Sequence, residues 1–207
     1  PNLYVIVGPT ATGKSDYAVQ LAKKVNGEII SADSRQVYKG LNIGTGKISK
    51  KEMKGVKHYM LDVISPKKIY NASNFKTDAL KCIETIISRK KTPIICGGTG
   101  FYIDTLLGEI ILDPSEPNEE LRNELSKLSK EQLQEKLEKL DPAKYELVDI
   151  NNPVRLIRAI EIAISKKSGI KKEVSNALES KDTYNVIKIG LDFPDEILKH
   201  RIHERLL

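Results

Sequence analysis

Cysteine is scarce in this chain. Cys82 and Cys96 are its only two; they form no C-x-x-C pair and have no histidine at ligand spacing, so neither a zinc site nor a disulfide framework is indicated. Both read as small core residues. No apolar stretch approaches the roughly 18 to 20 residues of a membrane span. The opening Pro1-Asn2-Leu3 lacks the charged and apolar regions of a signal peptide, so a cytoplasmic chain is expected. Glycine (13) and proline (9) are sparse among 207 residues, while 40% are hydrophobic and 30% charged. That balance excludes disordered and fibrous classes and leaves a globular protein of one or two domains with a packed core. The chain has no internal repeat, and nothing in it requires more than a monomer.

The net charge of +6 is segregated: +8 over residues 1–112, −5 over 113–150 and +3 over 151–207. Six lysines between Lys39 and Lys57 form a basic stretch able to attract phosphates or a nucleic acid. Solvated loop lysines give the same pattern, so charge alone decides nothing.

Leu3 to Val7 is an apolar, β-rich run ending at a glycine, and Tyr17, Ala18, Leu21, Ala22 and Val25 then recur at helical spacing. Glu28 to Asp33 reads as a second strand and His58 to Ile64 as a third. A helix capped by Ser73 follows, with Phe75, Ala79, Cys82, Ile83, Ile86 and Ile87 on one side. Pro93 to Cys96 is a short strand before Gly97-Gly98 and another helical pattern through Leu107. Strands alternating with helices predict parallel βαβ units. From Pro114 the pattern becomes purely helical, with Leu121, Leu125, Leu128, Leu133, Leu137 and Leu140 set among Glu and Lys. Asn152 and Pro153 open a further helix as N-cap and first residue. A strand returns at 184–192, and a last helix starts near Pro194. The expected organisation is an α/β core over 1–113, a helical insertion domain over 114–183, and a return to the core over 184–207, with the chain stopping inside a longer protein.

Gly8-Pro9-Thr10-Ala11-Thr12-Gly13-Lys14-Ser15 matches the phosphate-binding pattern G-x-x-x-x-G-K-[ST] in the required context, between a strand and a helix. Its glycines let backbone N–H groups curl around phosphate oxygens, the helix start adds its dipole, Lys14 supplies charge and the Ser15 hydroxyl can ligate Mg²⁺. A di- or triphosphate ligand is expected. No N-K-x-D guanine-reading motif is present, which disfavours a GTPase. Asp33 follows a strand and would lie at the carboxyl edge of the sheet, where open α/β proteins place ligands; it reads as a general base or, equally, as a turn-capping aspartate. Gly97-Gly98-Thr99-Gly100 would reach the same edge. On these residues alone the leading reading is a P-loop kinase of a small metabolite.

The P-loop together with Ser31-Ala32-Asp33-Ser34-Arg35-Gln36-Val37-Tyr38, Ile43-Gly44-Thr45 and Gly97-Gly98-Thr99-Gly100-Phe101-Tyr102-Ile103 resembles bacterial tRNA dimethylallyltransferases. His58 to Asp62, Asn151 to Glu161 and Arg201 to Arg205 fit as well, so the resemblance spans essentially the whole chain. Gly46 and Ile48 stand where the family usually has Ala and Pro, and family members usually continue for about a hundred residues more, a domain-sized length.

The resemblance implies a P-loop NTPase-like fold and transfer of a dimethylallyl group from dimethylallyl diphosphate to the exocyclic amine of the adenosine 3′ of the anticodon in tRNA, with Mg²⁺. It implies that Gly8, Pro9, Thr10, Ala11, Thr12, Gly13, Lys14, Ser15 and Arg205 hold the diphosphate. Asp33 would take the amine proton, and Thr10, Lys14 and Arg205 would assist departure. Asp33, Ser34, Arg35, Gln36, Thr99, Arg122 and the segment Val154, Arg155, Leu156, Ile157, Arg158 would contact tRNA, whose adenine must be extruded from its stack. The rivals are an adenylate dimethylallyltransferase, the kinase, and an RNA-binding protein that uses the loop as a switch. The basic stretch and the 151–161 helix favour the tRNA enzyme over the adenylate one.

Overall fold

The computed structural model describes residues 1–167 and 184–206, the last two by backbone alone. Its elements run β1 (Asn2–Val7), α1 (Lys14–Lys24), β2 (Gly27–Ser31), α2 (Lys50–Met53), β3 (His58–Tyr59), α3 (Ala72–Ser88), β4 (Thr92–Cys96), α4 (Gly100–Leu107), α5 (Glu119–Leu125), α6 (Lys130–Leu140), α7 (Pro142–Leu147), α8 (Pro153–Lys167), β5 (Asn185–Gly190) and α9 (Asp195–Leu206). These residues form two compact units, one of 1–111 with 184–206, the other of 112–167. The remainder of the expected insertion, 168–183, lies outside the described residues.

The first unit is built on a parallel sheet of order β3-β2-β4-β1-β5. Leu3, Val5 and Ile6 of β1, Ile29 and Ile30 of β2 and Ile94 and Ile95 of β4 are all buried, the continuous apolar run of strands covered on both faces. Alternation along each strand divides them. Ile6, Ile29, Ile94 and Cys96 pack with Ala18, Val19 and Ala22 of α1, while α3 packs on β2 and β4 and against α4, where Phe75 stacks on Tyr102 with ring centres 4.6 Å apart.

Two local expectations change. The third strand shortens to His58–Tyr59 because Met60 (φ +65°) and Asp62 (φ +54°) take left-handed conformations incompatible with a ladder. The cap of α3 is Asn71, not Ser73: Asn71 and Asn74 exchange side-chain bonds with each other's backbone N–H, a reciprocal box. The cap at Asn152 is as expected, its Oδ1 accepting from the N–H of Val154 (3.1 Å) and Arg155 (3.3 Å). Both cysteines are small core groups: burial pushes the Cys96 thiol up to about 12 and the half-buried Cys82 up to about 11.

Glu28, 3% exposed at the amino end of β2, fastens the sheet's edge. It accepts from the Tyr59 hydroxyl (2.7 Å) and pairs with Lys91 (3.0 Å). Burial works to raise its pKa, but those two bonds hold it below the usual value.

Every regular element among the described residues of the second unit is a helix. Leu125 of α5, Leu133 and Leu137 of α6, and Leu156, Ala159 and Ile160 of α8 form its core. Among the described residues no helix is long and apolar enough to cross a membrane.

Candidate active site

The strand order converts three separated motifs into one site. β2, β4 and β1 are neighbours, so the segments leaving their carboxyl ends, at Ala32-Asp33, Gly97-Gly98 and Gly8, emerge side by side at the edge where open parallel sheets bind ligands. They are tied by backbone bonds from Ala32 N to Cys96 O (2.9 Å), Gly97 N to Ile6 O (3.2 Å) and Thr99 N to Ala32 O (3.2 Å). Two glycines make this approach possible. A Cβ on Gly97 would stand 2.1 Å from the Ala32 carbonyl oxygen, and one on Gly8 (φ +152°) 2.2 Å from that of Leu191. No side chain relaxes either collision, because the obstacle is backbone.

Between these segments lies a cavity of about 440 Å³. Thr10, Ala11, Gly13, Lys14 and Ser15 of the P-loop line one side, and Asp33, Gln36, Thr45, Gly46 and Glu52 also face it. The start of α1 carries no side-chain cap, the arrangement of a helix end that receives an anion. The loop is braced from within: Thr12, 3% exposed, donates to the Pro9 carbonyl at 2.9 Å, and the Lys14 ammonium donates to the same oxygen. Thr12 therefore shapes the cradle, and Gly8 and Pro9 contribute backbone to it.

Asp33 is oriented by neutral donors. Its Oδ1 accepts from the N–H groups of Arg35 (2.8 Å) and Gln36 (3.2 Å), and its Oδ2 from Gln36 Nε2 (3.4 Å). The turn-capping and cavity-facing readings of Asp33 thus hold together. Thr99 Oγ1 accepts from Ser34 N at 3.0 Å, joining the two loop starts.

One residue that the sequence reading left without a role faces the same cavity. Arg201, on α9, donates to the Ala11 carbonyl (3.4 Å) and stacks its guanidinium 4.3 Å from the Phe193 ring centre. It precedes Arg205 by one turn; the side chain of Arg205 lies outside the described residues. The tertiary contact is what singles out Arg201.

The candidate RNA-contacting residues of the helical unit divide. Val154 (76% exposed) and Arg155 are on the surface. Leu156 is fully buried and Ile157 packs on the same core, so their side chains hold α8 in place. Arg122 and Arg158 both grip Glu161, which is 2% exposed. Arg122 Nε and Nη2 donate at 3.1 and 2.9 Å and Arg158 Nη1 at 2.5 Å, while Asn118 N adds a bond at 2.5 Å. Burial opposes ionisation of Glu161, but Arg122, the Asn118 amide and Arg158 hold its pKa below the ordinary value. About a third of each arginine side chain stays exposed.

A P-loop facing an oriented carboxylate across one cavity, on a parallel α/β sheet, is the layout of a P-loop enzyme. Comparison with known proteins gives the family. The IPP transferase family model matches residues 36–207. The chain is 46% identical over its full length to tRNA dimethylallyltransferase 2 of Treponema denticola and 40% identical over 99% of its length to tRNA dimethylallyltransferase of Acetivibrio thermocellus, spanning 68% and 67% of those proteins. Among solved structures it is similar to the full-length tRNA isopentenylpyrophosphate transferase of Bacillus halodurans (36% identity, TM-score 0.65, 99% of this chain and 64% of that one). It is also similar to a eukaryotic dimethylallyltransferase acting on tRNA (27%, TM-score 0.78, 100% and 53%). The chain belongs to the IPP transferase family.

Proposed function

We propose that the protein containing this chain transfers a dimethylallyl group from dimethylallyl diphosphate to the exocyclic amine of the adenosine 3′ of the anticodon in tRNA, in the cytoplasm. The observation that carries this reading is that Asp33 shares a cavity with the P-loop and Arg201. The adenine nitrogen attacks the allylic carbon, the carbon–oxygen bond breaks with its electron pair going to the diphosphate, and Asp33 accepts the proton from nitrogen. Catalysis asks the chain for two things: stabilisation of the leaving diphosphate by Lys14, Arg201 and the loop amides, and a base within hydrogen-bond reach. Thr10 would bond the diphosphate oxygens.

The oxygen donors at the cavity fit a magnesium ion bound largely through substrate phosphates. Among the described residues there is no cluster of three or more His, Cys, Asp or Glu that would form a metal cage. Ser15 would hold the ion, which when bound neutralises leaving-group charge. The helical unit, with Arg155, Arg122 and Arg158, is read as the phosphate-contacting insertion.

The test is incubation of the full protein with labelled dimethylallyl diphosphate, unmodified tRNA and free AMP. Label in tRNA is the expected result. Label in AMP would point to an adenylate dimethylallyltransferase, and label in neither would overturn prenyl transfer.

A further inference from the structure

The loop that leaves Asp33 is pinned from outside the cavity by an ion pair between a buried lysine and a half-exposed aspartate. Lys47, 6% exposed along its side chain, donates to Asp62 Oδ1 at 2.6 Å and to the Tyr38 carbonyl at 2.8 Å. Asp62 also accepts from Gly40 N at 3.3 Å, so one carboxylate and one ammonium clamp the loop, at Gly40 and at Lys47, to the segment after β3. Backbone bonds from Val63 N to Val37 O (2.7 Å) and Lys39 N to Ile64 O (2.9 Å) extend the seam. Asp62 takes its left-handed backbone, φ +54°, at this clamp.

The clamp leads to the base through short steps. Lys47 immediately follows Thr45 and Gly46, whose carbonyl oxygens accept from Gln36 Nε2 at 3.4 and 3.5 Å. The same Gln36 nitrogen donates to Asp33 Oδ2. We infer that Lys47 and Asp62 are positioning residues: their pair fixes the carbonyls that hold Gln36, and Gln36 in turn aims Asp33 into the cavity. Neither touches a reacting atom, and Lys47 and Asp62 do not line the cavity. The inference rests on Asp33 being the base. A displacement of about 1 Å at a base costs on the order of 100-fold, so a slack clamp reduces turnover without loosening the phosphate cradle on the far wall.

The test compares Lys47→Met and Asp62→Asn with the unsubstituted protein. Asparagine tolerates the left-handed backbone, so Asp62→Asn removes the charge alone and serves if Lys47→Met fails to fold. Lys47→Met is expected to lower kcat by about 10- to 100-fold and Asp62→Asn by about 5-fold, with KM for dimethylallyl diphosphate changed by less than about twofold. Hydrogen exchange should quicken at the Gly46 and Lys47 amides, which bond to Ile43 O and Asn42 O at 3.0 Å each. A kcat within about twofold of the unsubstituted value in the folded variants, or unchanged exchange at those amides, overturns the inference. If the unsubstituted protein transfers no label, the proposed activity fails instead, and exchange alone decides the clamp.

Discussion

Two carboxylates, Asp33 in the α/β unit and Glu161 in the helical unit, are each held by several hydrogen bonds, yet to opposite ends. Glu161 is 2% exposed and gripped by two guanidiniums. Asp33 borders a cavity, and its donors among the described residues are two backbone amides and one side-chain amide. Cations around a buried acid neutralise it permanently and lower its affinity for a proton, which suits a strut. The donors to Asp33 fix its direction, the geometry that the proposed base asks for.

Substitutions separate the two roles. The largest expected effect is Asp33→Ala, which should lower kcat about 10²- to 10⁴-fold with diphosphate affinity and thermal midpoint little changed; near-normal turnover would remove Asp33 as base. Gly97→Ala drives a Cβ into the Ala32 carbonyl and should cost about 3 kcal/mol by denaturant unfolding while weakening phosphate binding. Glu161→Ala strands two arginines. A fully buried pair loses about 3 to 5 kcal/mol on such a cut, and the partial exposure of both arginines reduces the expected loss to about 2 kcal/mol, read as faster hydrogen exchange in α5 and α8.

The same group sets an acid limit. Because the folded pKa of Glu161 lies below its ordinary 4.5, its contribution is fully present above that value and fades as pH falls through the folded pKa. Glu161→Gln should flatten this acid-side loss in the helical unit; an unchanged profile would show that the pair is not formed in solution. The smallest effect belongs to Arg155→Ala. Its 3.5 Å pair with Asp149 is solvent-exposed, so stability should move by less than about 0.5 kcal/mol, while tRNA affinity should fall and its salt slope flatten by about one.

Much of this was legible in the residues. The P-loop motif is one contiguous strand, turn and helix start, and the helical unit announced itself through leucines at helical spacing. Asp33 was marked because a strand precedes it. Arg201 passed unnoticed, since an arginine on an amphipathic helix looks alike whether it faces solvent or the Ala11 carbonyl. Arg122 and Arg158 stand out in the sequence only through the family resemblance, and nothing local reveals that they share a buried glutamate 39 and 3 residues away. The third strand is shorter than its apolar run, because left-handed turns at Met60 and Asp62 end it after Tyr59.

What the amino-acid order determined by itself was short-range: where the phosphate loop lies, which segments are strands or helices, and that a helical stretch interrupts the α/β alternation. These follow from steric and periodic preferences acting over a few residues. The tertiary structure alone decided that β4 lies between β1 and β2, and hence that Asp33, the P-loop and Gly97 meet. It also decided that Lys47 reaches Asp62 and that Arg201 joins the cavity. Such meetings depend on strand order and burial, which bring together residues separated by up to 190 positions and leave no local mark on either partner.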